Sequence, residues 1–270
     1  MHVKDLPVVI LAAGMSKRFN EEHRTTHKSL LTIDNDVHIF DFVLNGLVQN
    51  GVSRVKILLG YKSKEFMQFL DKKKTLYAKN LHLHPIISNP DYVKGPIYTL
   101  LSIFSELDNS IRHFIVIPSD TIFHPTILKQ IFSCELKQSL NQIYLFSVGL
   151  SDISISQMNQ KLSFSPHIVG KSLISNVKLK NYTPFCNKFY YIPILILSRS
   201  FLEFVHNPEN RISGKIIQNV ENFCKDTGDC HVFRLHYDLE IPPFLDIDTS
   251  HTYNTLNRVK KEFLEPYKVK

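Results

Sequence analysis

The sequence is poor in the residues that mark specialised architectures. Only 9 glycines and 13 prolines occur in 270 residues, which excludes a collagen-like or low-complexity chain. The four cysteines, Cys134, Cys186, Cys224 and Cys230, are too few and too scattered for a disulfide framework, and none forms a C-x-x-C pair. Buried or inert thiols in a reducing compartment are expected. No apolar run approaches the ~18 residues a spanning helix needs. The longest, Val8 to Ala13 and Ile192 to Leu197, have the length of strands. The N-terminus carries no long apolar stretch followed by a small-residue cleavage site, so neither secretion nor membrane insertion is expected and the chain reads as cytoplasmic. Both G-x-x-x-x-G-K-[ST] and G-x-G-x-x-G are missing, which argues against a P-loop and against ordinary dinucleotide binding. Zinc-finger spacing, an RNP-type aromatic signature and H-x-x-x-H are also missing, and the thirteen histidines read as scattered.

What is present is ordinary for a soluble globular chain: 43% hydrophobic and 21% charged residues. The net charge of +7, from 32 Lys and Arg against 25 Asp and Glu, is dispersed. Its one tight run, Lys72-Lys73-Lys74 after Asp71, reads as a solvated turn. No nucleic-acid partner is expected.

Leu6 to Leu11 is a continuous, β-branched apolar run ending in Ala12-Ala13-Gly14, the pattern of a strand buried on both faces of a parallel sheet. Further strands are predicted at Val55–Leu59, Leu81–Ser88 (weakened by Pro85), Phe114–Ile117, Gln142–Leu150, Lys188–Leu197 and Val232–Leu235. Helices are predicted at His38–Gln49, Glu65–Leu70, Pro96–Leu107, Pro125–Cys134, Phe201–Val205, Ile212–Phe223 and from Thr249 to about Phe263. The β-α-β-α alternation of the first half argues for a largely parallel sheet with helices on both faces. The polar stretch from Ser151 to Tyr182 reads as an irregular or hairpin insertion.

Four clusters carry chemistry. In Leu11-Ala12-Ala13-Gly14-Met15-Ser16-Lys17-Arg18, a small-residue turn follows the first strand directly. It lies at the carboxyl end, where open α/β sheets bind ligands. Arg18, and Lys28 of Lys28-Ser29-Leu30-Leu31, can neutralise phosphate charge. The bland alternative is a tight turn with two surface cations. The second cluster, Asn89-Pro90-Asp91-Tyr92-Val93-Lys94-Gly95-Pro96, is a turn-rich loop feeding a helix. The third is Asp120, just past the apolar strand Phe114–Ile117; an Asp there can turn the chain or act as one of the carboxylates that hold Mg²⁺. The fourth is Asp246-Ile247-Asp248-Thr249 before the last helix, in which Asp248 and Thr249 can serve as caps.

The order Leu-Ala-Ala-Gly-x-x-x-Arg, then Lys-x-Leu-Leu, then Asp120, then Asp-x-Asp-Thr resembles the sugar-phosphate and MobA-like nucleotidyltransferases over about residues 6 to 260. The resemblance implies a three-layer α/β/α, Rossmann-like (GT-A-like) fold with a mostly parallel mixed sheet. It implies one domain over 1–270, with a nucleotide-binding half at 1–135 and an acceptor-binding half at 136–270. It implies transfer from an NTP to a phosphorylated small-molecule acceptor with release of pyrophosphate. Arg18 and Lys28 then become the catalytic cations. Leu11, Ala12, Ala13 and Gly14 wrap the triphosphate, Asn89 and Gly95 face the base and ribose, and Asp120 and Asp246 ligate Mg²⁺. For Asp248, capping is the favoured reading.

The Asn-Pro-x-Tyr loop is similar to that of the branch acting on phosphocholine and related alcohol phosphates, which tilts the expectation toward CTP. In two places the sequence departs from the family pattern: Ser16 replaces the second glycine of the loop, and His27 stands where a proline commonly precedes the lysine. The family often adds a mid-chain lysine at the acceptor phosphate, for which Lys178, Lys180 and Lys188 lie in the right region. A glycosyltransferase of the same general fold, or a nucleotide sensor without catalysis, would be the rival activities; a homodimer stays open.

Overall fold

In a computed structural model of the protein, residues 1–19, 25–34, 36–136, 141–149, 189–226, 230–237 and 241–264 are described, with 189–190 and 258–264 described by their backbone alone. The expected insertion at 151–182, together with Lys178, Lys180, Lys188 and Cys186, lies outside them.

Strand β1 (Val8–Ala12) lies in the interior of a seven-stranded sheet. Val8, Val9 and Ile10 are fully buried, as the unbroken apolar run predicted. On one side β1 pairs in parallel with β4 (Arg54–Leu59), which pairs in parallel with the edge strand β5 (His82–Ile87). Pro85 is tolerated in β5 because an edge strand has one unpaired side. On the other side β1 pairs in parallel with β6 (His113–Pro118). Next comes β9 (Phe189–Ser198), antiparallel to both of its neighbours, β6 and β8 (Ile143–Gly149), and β10 (Cys230–Leu235) closes the sheet parallel to β8. Pro193 falls in the register shift where Leu145 opposes Leu195 but Phe146 opposes Ile192, so its missing N–H sits at an irregularity rather than in a regular ladder.

Alternation along β1 divides the core into two layers. Val8, Ile10 and Ala12 join the cluster built by α1 (Ile39–Gln49), α2 (Ser63–Tyr77) and α4 (Pro125–Phe132). Val9 joins the opposite cluster, built by α3 (Pro96–Leu101), α5 (Arg199–His206) and α6 (Ile216–Asp226). The result is the expected three-layer α/β/α arrangement. The last described helix, α7 (Ser250–Leu264), starts where Thr249 Oγ1 accepts the Thr252 N–H at 3.1 Å. Among the described residues no helix is long and apolar enough to cross a membrane.

Three local expectations need correction. The Lys72–Lys74 run is not a turn but part of α2, which extends to Tyr77. Lys73 folds back onto the buried Asp41 of α1, Nζ to Oδ2 2.9 Å. Helix α3 ends at Leu101 rather than Leu107. Two small ribbons escaped sequence reading: β2 (Thr32–Asp34) with β3 (Val37–His38), and β7 (Thr121–Phe123) with β11 (Phe244–Asp246), both antiparallel. The second ribbon builds the site.

Candidate active site

The site lies at the carboxyl ends of β1 and β6. Ser119 N–H donates to the Leu11 carbonyl at 3.2 Å, and Tyr61 N–H to that of Ala13 at 3.4 Å. The turn after β1 is thus tied to both neighbouring strands. A Cβ built on Gly60 would stand 2.7 Å from Ala13 Cβ and 2.9 Å from Tyr92 Cδ2, so only glycine lets the ring of Tyr92 close over this edge. At Gly14 a Cβ would stand 3.6 Å from Lys28 Cε, which places the lysine stem beside the turn.

Both departures from the family pattern have a local explanation. Ser16 adopts φ 51°, the left-handed region where glycine costs least. Its hydroxyl compensates by accepting the Lys28 N–H at 3.3 Å. His27 has φ −68° and ψ 134°, the backbone a proline would impose, so the path into Lys28 is retained.

The β7–β11 ribbon brings together carboxylates far apart in sequence. Asp246 opposes Thr121, and Ile247 N–H donates to the Asp120 carbonyl at 2.9 Å. Asp120, Asp246 and Asp248 each present an oxygen within 4.8 Å of the others. Lys28 Nζ reaches into this group and pairs with Asp120 Oδ2 and Asp248 Oδ1. Arg18 reaches Asp248 Oδ2 at 2.7 Å. Below them the buried hydroxyls of Ser29 and Ser119 share a hydrogen bond of 2.8 Å.

Three carboxylates against two cations leave an excess of negative charge. Burial would lower the Lys28 ammonium, but Asp120 and Asp248 outweigh it and hold it well above its ordinary value. Asp246 has the opposite problem. Burial first, then the charges of Asp120 and Asp248, push it up to about 7, with Lys28 and a 3.3 Å hydrogen bond from Thr121 Oγ1 only partly offsetting them. Three hard oxygen donors carrying surplus negative charge suit a divalent cation such as Mg²⁺.

The structure therefore brings together Leu11 to Gly14, Arg18, Lys28, Asp120 and Asp246. Asp248, for which capping is the favoured sequence reading, has a further use: Thr249 Oγ1 accepts the Thr252 N–H at the helix start, and Asp248 joins the acidic group and pairs with both cations. The Asp-x-Asp spacing was the available signal, since alternate residues leaving a strand end can return to one site. Asn89 and Gly95 have structural work of their own. Asn89 Oδ1 accepts the Asp91 N–H at 3.1 Å. Gly95, at φ 138°, packs so tightly that a Cβ would stand 2.5 Å from the Gly214 carbonyl oxygen. Tyr92, Ser119 and the Ser29 hydroxyl were missed; nothing in local periodicity marks them.

Residues 8–145, just over half of the chain, match the family of MobA-like NTP transferase domains. Several solved structures share the fold along nearly their whole length. An inositol-1-phosphate CTP transferase from T. maritima is 15% identical with a TM-score of 0.66, over 97% of this chain and 98% of that one. A UDP-glucose pyrophosphorylase complexed with UDP-glucose is 17% identical with a TM-score of 0.64, over 95% and 99%. HddC from Yersinia pseudotuberculosis is 20% identical with a TM-score of 0.62, over 94% and 98%. No curated protein sequence matches.

Proposed function

The chain belongs to the family of MobA-like NTP transferase domains, and on that footing we propose that it transfers CMP from CTP to the phosphate of a phosphorylated alcohol or sugar, with Mg²⁺, releasing pyrophosphate. The observation that carries this reading is the position of Lys28, with its stem beside Gly14 and its ammonium between Asp120 and Asp248. A turn of small residues, a cation and an acidic group able to hold a metal meet there.

In the proposed reaction an acceptor phosphate oxygen forms a bond to the α-phosphorus. The bond from that phosphorus to the α,β-bridging oxygen breaks, and pyrophosphate leaves with the electron pair. The acceptor is already ionised near neutral pH, so no protein base is required. The protein's work is positioning and charge neutralisation. Lys28 and Arg18 exchange their carboxylate partners for phosphate oxygens and stabilise the leaving pyrophosphate. Leu11 to Gly14 supply a turn without bulky side chains against which the triphosphate can lie. Asn89 and Gly95 shape the loop on the base side. Asp120, Asp246 and Asp248 would hold the Mg²⁺, which when bound offsets the negative charge of the phosphates.

Cytidylyl transfer to an alcohol phosphate is supported by the Asn89-Pro-x-Tyr92 loop, and the like-folded inositol-1-phosphate CTP transferase points the same way. A thermal-shift series with the four NTPs and Mg²⁺, followed by a pyrophosphate-release screen of phosphorylated acceptors, tests the reading. CTP is expected to give the largest shift and a phosphorylated alcohol or sugar the turnover. Nucleoside diphosphate as product would instead indicate glycosyl transfer.

A further inference from the structure

His27 is fully buried, directly before the catalytic lysine. Its ring packs edge-on against Phe66 at 5.1 Å between centroids. Nδ1 accepts the Ser29 N–H at 3.2 Å. An imidazole nitrogen that accepts carries no proton, so the proton of the neutral ring sits on Nε2. Burial, with the nearby charges of Lys28 and Lys62, holds the ring far on the neutral side, at about 3.

The backbone carbonyls of Ala12 and Gly14 lie near the ring, and with Nδ1 taken by Ser29, Nε2 is the nitrogen left to donate to them. No hydrogen bond of regular geometry is formed there. A buried N–H without a partner is costly, and this one lies against the underside of the turn that takes the polyphosphate. In a planar trans peptide the N–H points opposite to the C=O. Carbonyls of Ala12 and Gly14 drawn toward the imidazole therefore turn the N–H groups of Ala13 and Met15 away from it, and so away from the Phe66 core.

We propose that His27 is a positioning residue for nucleotidyl transfer, whose Nε2–H closes on the Ala12 and Gly14 carbonyls when the outer N–H groups of the turn take a polyphosphate, while Nδ1 fixes the lysine-bearing turn through Ser29. One ring thus sets the phosphate turn and Lys28 relative to each other. This rests on the nucleotidyl-transfer reading of the site.

The two nitrogens can be tested separately. His27→Gln can place a donor near the Nε2 position, His27→Asn can replace only the Nδ1 acceptor, and His27→Phe keeps the ring shape with neither. The expected result is a rise of about tenfold in KM for the NTP in His27→Asn, about one hydrogen bond's worth, and a larger rise in His27→Phe, which loses both nitrogens. His27→Gln should recover most of it, with KM for the acceptor unchanged in all three. Folded His27→Phe with wild-type KM for the NTP, or His27→Gln no better than His27→Phe, would overturn the proposal.

Nitrogen-15 NMR of the wild-type imidazole needs no variant. It should show the Nε2–H tautomer between pH 5 and 8, with its proton moving downfield on addition of CTP and Mg²⁺. An Nδ1–H tautomer, or an Nε2–H signal that CTP leaves in place, would contradict the proposal. If the wild type binds no NTP, the transferase reading fails instead, so the two failures are distinguishable.

Discussion

Two clusters of charge, one around Asp41 and one around Lys28, behave in opposite ways. Around Asp41, a single carboxylate accepts the His38 N–H at 2.9 Å, Lys73 Nζ at 2.9 Å and Tyr77 OH at 3.2 Å. Burial would raise Asp41, but the hydrogen bonds from His38 and Lys73 outweigh it and hold it below the usual carboxylate value. Around Lys28, three carboxylates crowd against two cations, and Asp246 is forced up to about 7. The first cluster is electrostatically complete and ties α1 to α2. The second is in surplus, which suits a divalent cation and costs stability while the carboxylates face one another.

The contrast is broken most sharply by Lys28→Ala and Asp120→Asn. Each should cut pyrophosphate release by about 10²–10³ with the fold intact by circular dichroism; wild-type turnover in either would remove the distinction. Asp41→Asn should do the reverse. Unfolding by urea should report a loss of about 1–3 kcal/mol, with turnover at the wild-type level well below the melting transition.

The pH dependences should also run in opposite directions. A carboxyl held low in the folded state contributes stability that is present above its unfolded value, about 3.9, and is lost as pH falls through the folded value. That is the Asp41 case, so the penalty of Asp41→Asn shrinks in acid. Asp246 is raised, so the folded protein binds the extra proton, and stability falls as pH rises from about 4 to about 7. Asp246→Asn should therefore raise the melting temperature at pH 8, by about 2–4 °C per kcal/mol, and have no such effect at pH 4. An equal shift at both pH values would mean that Asp246 is not strained by its neighbours. The mildest expected change is Arg18→Ala. Its side chain is largely exposed, and a loss of about tenfold in turnover, roughly one charge-assisted hydrogen bond, should appear without a change in melting temperature.

Sequence legibility divides along the same line. Strand β1, its turn and the cations were readable because a strand buried on both faces is a continuous apolar run and the small-residue turn follows it directly. The acid group was half readable. Asp120 stands between β6 and β7 and Asp246 ends β11, but β7 and β11 are only three residues long and pair across more than 120 residues, so no local period announces them. For Asp248 the cap is the favoured sequence reading, because Asp before a helix so often is one, and the tertiary pairing with Lys28 and Arg18 shows its other use. The Lys72–Lys74 run misled for a related reason. A lysine run reads as solvated until one member is seen to reach a buried carboxylate on another helix.

On the proposed reading, the turn after β1 and the acids at the β7–β11 ribbon act on one nucleotide. Calorimetric titration of CTP with and without Mg²⁺, in the wild type and in Asp246→Asn, tests it most directly. Mg²⁺ should tighten CTP binding strongly in the wild type, and Asp246→Asn should lose that gain while keeping the metal-independent part. Equal tightening in both proteins would place the metal elsewhere and contradict the account.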